Sequence, residues 1–218
     1  MKKLLLTAMI GVALFVAACE DPAANKAKAT VAEPEGNSAS NSAAEAPPVK
    51  GEGVKLDSEN SKVEFTGSKV TGKHDGGFKK VSGTIDLVNR KPEDSSVFFE
   101  IDTTSVYTDD DKLTQHLSSK DFFEVEKFPK ATFKSTKIVP DTSKEVDVYT
   151  VTGDFELHGV TKSITFPATI VVGDDSVFVT ADFAINRKDF GIVYAGKADD
   201  LIRDDVVIRL ELKAPRRK

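Results

Sequence analysis

VTGDFELHGVTKSITFPATIVV, residues 151–172, decides the fold. Val151, Gly153, Phe155 and Leu157 alternate with Thr152, Asp154 and Glu156, and the alternation resumes with Ile164, Phe166, Ala168, Ile170 and Val172. Successive side chains on a strand point to opposite faces, so each half of this stretch has one dry face and one wet face. Between the halves, LHGVT places His158 at the end of a strand and Gly159 at a bend, which reads as a hairpin. Two half-buried strands joined this closely run antiparallel.

The same period of two runs through most of the chain after Val54. It recurs in Val63 and Phe65, in Val81, Gly83, Ile85 and Leu87, and in Val97, Phe99 and Ile101. Further on it returns in Ala131, Phe133 and Ser135, in Val177, Val179, Ala181, Phe183 and Ile185, and in Val206, Ile208, Leu210 and Leu212. Eight amphipathic runs predict an all-β domain that closes as an antiparallel barrel or stacks as a sandwich. Several runs reach about eleven residues, long for a sandwich; at ~3.3 Å per residue and a tilt of ~35–45° they build a barrel about 25–30 Å tall. Its dry face is rich in phenylalanine but interrupted by Gly83, Gly153, Ala168 and Ala181, a mixture that leans towards a cavity. The exception to the period lies between Thr104 and Pro129. Asp109, Asp110 and Asp111 suit a helix N-terminus, and Leu113, His116 and Leu117 share a helical face, which predicts a short helix across one barrel end.

The first residues, MKKLLLTAMIGVALFVAAC, combine a positive start, an apolar run and small residues before Cys19. They read as a secretory signal over residues 1–18, and the VAAC ending resembles the bacterial lipoprotein signal, in which Cys19 carries the lipid anchor. Cys19 is the single cysteine, so no disulfide is available. The expected location is the bacterial cell envelope, lipid-anchored and facing the periplasm or the exterior. Residues 19–52 are rich in Ala, Pro, Ser, Asn and Glu and read as a disordered tether, with a reach on the order of 30 Å. The folded domain is then residues 53–218. Loss of Lys2 and Lys3 with the signal takes the formal net charge from −5 to about −7, which disfavours a nucleic-acid partner. The terminal APRRK reads as a solvated end.

Catalytic templates are missing: the sequence holds no G-x-S-x-G elbow, no H-E-x-x-H and no glycine-rich phosphate loop opening a helix. His74, His116 and His158 are spaced forty-two residues apart, unlike the short spacings of zinc ligands. No cofactor and no metal is expected; the rival reading is a metal- or haem-dependent enzyme or redox accessory built on these histidines. His116 is read as packing with Leu113 and Leu117 where the helix meets the barrel. TGKHDGGF, residues 71–78, places His74 before Asp75-Gly76-Gly77, a turn signal. In NRKDFGI, residues 186–192, Arg187 and Asp189 are expected to pair at a structural bend, with ligand contact by Phe190 as the alternative.

IDTTSVYTDDDKLTQHLSSKDFFEVEKFPKATFKST, then GDFELHGVTKSITF and INRKDFGI, resemble in their order the YceI-like family, over roughly residues 54–213. The resemblance implies a lipocalin-like, eight-stranded antiparallel barrel with an apolar interior that holds polyisoprenoid-type lipids, and no established catalytic machinery. It implies a binding protein, not an enzyme, with an isoprenoid or other long-chain lipid as partner; the expected membrane contact comes from the VAAC signal alone, a departure from family members that are commonly secreted without an anchor. On that reading the ligand-binding candidates are Phe65, Phe78, Phe99, Phe133, Phe155, Phe166, Ala181, Phe183 and Phe190. Lys73 and His74 match a family position near the wall, before a strand beginning at Phe78, and are candidates for a ligand's polar head. A structural envelope protein with a filled barrel is the remaining alternative.

Overall fold

The computed structural model describes residues 21–34, 48–144 and 147–216. The expected signal, Cys19 and residues 35–47 lie outside that description. The strands are β1 (Ala27–Lys28), β2 (Thr30–Ala32), β3 (Glu52–Asp57), β4 (Ser61–Lys69), β5 (Gly72–Phe78), β6 (Val81–Leu87), β7 (Ser96–Asp102) and β8 (Val106–Thr108). After helix α1 (Asp111–Ser118) come β9 (Lys130–Pro140), β10 (Val148–Leu157), β11 (Val160–Val172), β12 (Ser176–Asn186), β13 (Gly196–Lys197), β14 (Asp200–Leu201) and β15 (Asp205–Pro215).

One curled sheet carries the domain, in the order β3-β6-β7-β9-β10-β11-β12-β15-β4-β5-β8. Every pairing along this path is antiparallel. The two sides of the curl meet because β3 and β4 are consecutive in the chain. Lys213 N–H donates to the Asn60 carbonyl (3.1 Å) in the turn between them, and Arg216 donates to Glu52 at the start of β3 (2.6 Å). Arg216 is therefore tied into the wall and is not part of a solvated tail.

Each of the eight alternating runs is a strand, and the architecture is an all-β barrel with one helix. The strand count is larger than eight because seven further strands, β1, β2, β3, β5, β8, β13 and β14, are too short or too polar to carry a long apolar period. β5 corrects the reading of residues 71–78 as a bend: GKHDGGF is extended, paired with β4 on one side and β8 on the other, and Phe78 ends the strand. Its glycines serve close approach. A Cβ on Gly76 would stand 2.6 Å from the tip of the Phe65 ring and 2.5 Å from the Tyr107 carbonyl oxygen. The Thr66 hydroxyl donates to Asp75 across this ladder (2.5 Å) and holds that carboxyl below its ordinary pKa.

The hairpin at the centre of residues 151–172 forms as read. His158 (φ 54°) and Gly159 (φ 72°) are both left-handed, the backbone of a two-residue type I′ turn, whose twist matches the strands it joins. α1 starts where the aspartates place it: the Asp110 side chain accepts from the Leu113 N–H (2.8 Å).

A third correction concerns the tether. Residues 21–34 are ordered against the barrel, with β1 parallel to β12 and β2 antiparallel to β11. Ala29 and Val31 pack on the core, and Ala23 is buried with Ala184 and Val207. Composition suggested disorder because these side chains are small, but a segment that borrows a waiting strand edge needs little apolar area of its own.

Candidate functional site

The inward faces of the strands line a cavity of about 340 Å³. That is more than twice an apolar cavity of ~150 Å³ known to stay dry and to take up benzene. Its middle is hydrocarbon and aromatic: Phe65, Phe99, Phe133, Phe166, Ile170 and Leu210 are typical of its wall. Phe166 and Phe183 stack at 4.2 Å with their planes 10° apart, and Phe133 tilts onto Phe166 at 5.6 Å. Polar groups reach the cavity only near its ends, with Ser68, Lys69, His74 and Arg187 towards α1 and Ser95 and Ser96 at the far end.

Eight of the side chains singled out from the sequence line this space: Phe65, His74, Phe78, Phe99, Phe133, Phe155, Phe166 and Phe183. Three do not. Lys73 is exposed on the face of β5 opposite His74, and Lys69 stands at the cavity end instead. Ala181 belongs to the core but not to the cavity wall; its short methyl lies among Val179, Phe183 and Leu210, all of which do reach it. Phe190 is fully buried outside the cavity, edge-on to Phe155 at 5.2 Å.

The end near α1 is closed by residues that carry no period of two. Leu113 and Leu117 come from the helix, Phe122 and Phe123 from the loop after it, and Ile192 and Ile202 from the segment following β12. The signal for Phe122 and Phe123 was a pair of adjacent aromatics in an otherwise polar loop. Arg187 organises the second closing segment. Its guanidinium donates to the carbonyls of Ile192 (2.7 Å), Arg203 (3.1 Å) and Ile202 (3.4 Å), and to the Asp204 carboxylate (3.3 Å). The expected partner, Asp189, is replaced by Asp204, because the short helical turn Arg187–Phe190 folds the chain back towards the start of β15. Burial lowers the pKa of Arg187, and Asp204 works against that shift.

The histidines do not converge. His74 pairs with Asp109 (2.9 Å), His116 with Asp121 (3.1 Å), and His158 contacts the Phe190 carbonyl (3.3 Å). His116 also lies edge-on to Phe122 and Tyr194, each at 5.0 Å, as an element of packing at the helix end. Among the described residues no three His, Cys, Asp or Glu side chains gather as a metal site.

The YceI-like domain family matches this chain over residues 55–214. The chain belongs to the YceI-like family. A UPF0312 protein of Pseudomonas putida (strain W619) is 33% identical over 139 residues, which span 61% of this chain and 71% of that protein. Among solved structures, BcnA of Burkholderia cenocepacia superposes with a TM-score of 0.65 at 26% identity, covering 73% of this chain and 99% of BcnA. A polyisoprenoid binding domain from Saccharophagus degradans superposes with a TM-score of 0.61, over 75% of this chain and 98% of its own. At 20% identity the second likeness concerns the fold alone. The YceI-like match leaves residues 21–34 outside the domain.

Proposed function

We propose that this YceI-like protein is a membrane-anchored binding protein that holds one long-chain apolar lipid, of the polyisoprenoid type, along the axis of its barrel. The observation that carries the reading is the cavity: about 340 Å³, with hydrocarbon and aromatic walls and polar groups only near its ends. Such a space suits a chain without heteroatoms and a small polar head at one end. The family and the fold shared with a polyisoprenoid binding domain support the same ligand class. The energetics agree. Burial contributes ~0.8 kcal/mol per methylene, so a five-carbon isoprene unit is worth on the order of 4 kcal/mol. A few such units offset the ~4–15 kcal/mol cost of association without any polar contact. His74, paired with Asp109, and Lys69, paired with Asp200, stand at the α1 end and are the proposed contacts for a polar head.

Extraction of the purified protein with organic solvent, followed by mass spectrometry, tests the ligand. The expected result is a prenyl or comparable long-chain lipid approaching one equivalent per chain. A protein that yields no lipid, and takes none up when offered polyprenol, would not be a carrier. The anchor is tested separately. Cys19→Ala is expected to move the protein from the membrane pellet to the soluble fraction, and an unmodified Cys19 in the intact mass of the native protein would overturn that part of the reading.

A further inference from the structure

β11 and β12 are consecutive strands, yet they pair with each other only between Thr169–Val172 and Val177–Thr180. Towards the α1 end they part. Val160–Ala168 keeps its ladder to β10, and Ala181–Asn186 keeps its ladder to β15, but the edges that should meet are separated. Residues 27–32 fill that gap. Ala27 and Lys28 run parallel to Phe183 and Ala184, the Ala29 N–H donates to the Ala184 carbonyl (2.8 Å), and Thr30–Ala32 run antiparallel to Ser163–Thr165.

We propose that residues 27–32 are a removable strand of the barrel wall, a strap over a lateral portal through which the apolar ligand enters and leaves. The proposal rests on the reading of the cavity as a lipid site. Its first support is position. Ile164, Phe166, Phe183 and Ile185, on the two strands that the strap joins, all line the cavity, so unseating it opens the wall directly onto the ligand space.

The second support is the weakness of this seam relative to its neighbours. The strap has two registered pairs with β12 and three with β11, where β10 and β11 share ten and β12 and β15 share eleven. Only Ala29 and Val31 turn towards the core, and both stay partly exposed. The flanking residues add one small apolar contact, Ala23 buried against Ala184 and Val207, and half-exposed ion pairs: Lys26 to Asp182, Lys28 to Asp205 (2.5 Å), Asp21 to Arg203 (3.4 Å) and Glu33 to Lys162. Exposed pairs of this kind contribute little and are screened by salt. Local opening in a folded protein is drawn from segments with few buried apolar contacts. Residues 27–32 have that character, while the ladders on either side of the gap are long.

A disulfide across the seam tests the strap. Thr30 and Thr165 are paired, and the Thr165 hydroxyl meets Thr152 on the outer face, so Thr30→Cys with Thr165→Cys would pin the strap without entering the cavity. The full chain would carry Cys19→Ser, which gives the unanchored form and leaves the two introduced cysteines as its thiols. The probe is N-phenyl-1-naphthylamine, and the readout is its rate of transfer from the protein to phosphatidylcholine vesicles. Oxidation is expected to slow transfer at least tenfold, and dithiothreitol to restore it. Ala29→Asp, which sets a carboxylate against the core, is expected to speed it. Equal rates in the oxidised and reduced protein, with the probe bound in both, would show that the ligand passes through a barrel end and would overturn the strap. If no form takes up the probe, the lipid-site reading fails first and the strap fails with it.

Discussion

Replacing Arg187 with methionine is expected to lower the unfolding temperature by about 10 °C and to free the segment between β12 and β15. The Arg187 side chain is 5% exposed, and its guanidinium serves three backbone carbonyls and one carboxylate at once. Methionine matches its length and apolar stem but offers no donor. A buried acceptor left without a partner costs roughly 1–3 kcal/mol, and three carbonyls lose their donor together; the half-exposed Asp204 carboxylate keeps Lys188 (2.9 Å) and adds little. For a domain of this size each kcal/mol moves the unfolding temperature by about 2–4 °C. The effect should be local before it is global. Hydrogen exchange at Ile202, whose N–H donates to the Ala195 carbonyl (3.0 Å), and at Arg203, whose N–H donates to the Ser68 carbonyl (2.8 Å), should accelerate more than exchange in β10. Arg187→Lys should recover only part of the loss, because an ammonium cannot fork to several carbonyls in one plane. Unchanged exchange at both amides in Arg187→Met would mean that the β13–β14 hairpin and the link from Lys69 to Ile202 hold the segment unaided.

The second large effect concerns occupancy. Ala168 lies on the cavity wall, buried, on the same inward row of β11 as Phe166 and Ile170. Ala168→Phe should place its ring in the space of the ligand, so that co-purifying lipid falls below about a tenth of the wild-type amount. The barrel should keep its unfolding temperature within ~2 °C, because the ring enters a void already present. A close-packed interior would respond in the opposite way: overpacking costs ~1–3 kcal/mol, and the unfolding temperature would drop by ~4–10 °C with lipid unaffected. Measuring both quantities on the same two proteins separates a carrier from a filled barrel. Ala181, although on an inward row of β12, is the wrong site for this experiment because it does not line the cavity.

What was legible in the sequence is what a period of two can encode. Strands with one dry and one wet face announce themselves, and all eight runs from Val63 to Leu212 are strands of the barrel. The same rule identified Phe65, Phe99, Phe133, Phe155, Phe166 and Phe183 as inward, and all six line the cavity. The Asp110 cap and the His158-Gly159 hairpin were legible for a related reason, since each depends on a few neighbouring residues acting on their own backbone.

Tertiary structure alone decided the remainder. GKHDGGF is a strand because β4 and β8 flank it and the Phe65 ring needs the space a side chain on Gly76 would fill; no local preference of glycine and aspartate would select that conformation. Arg187 pairs with Asp204 instead of Asp189 because the chain folds back seventeen residues later to meet it. Residues 21–34 have the composition of a free linker, and that composition describes only what they can bury among themselves. Their order comes from two strand edges, on β11 and β12, that the rest of the barrel leaves open. Sequence patterns report what a segment carries, and the structure of such segments is set by what the rest of the fold offers them.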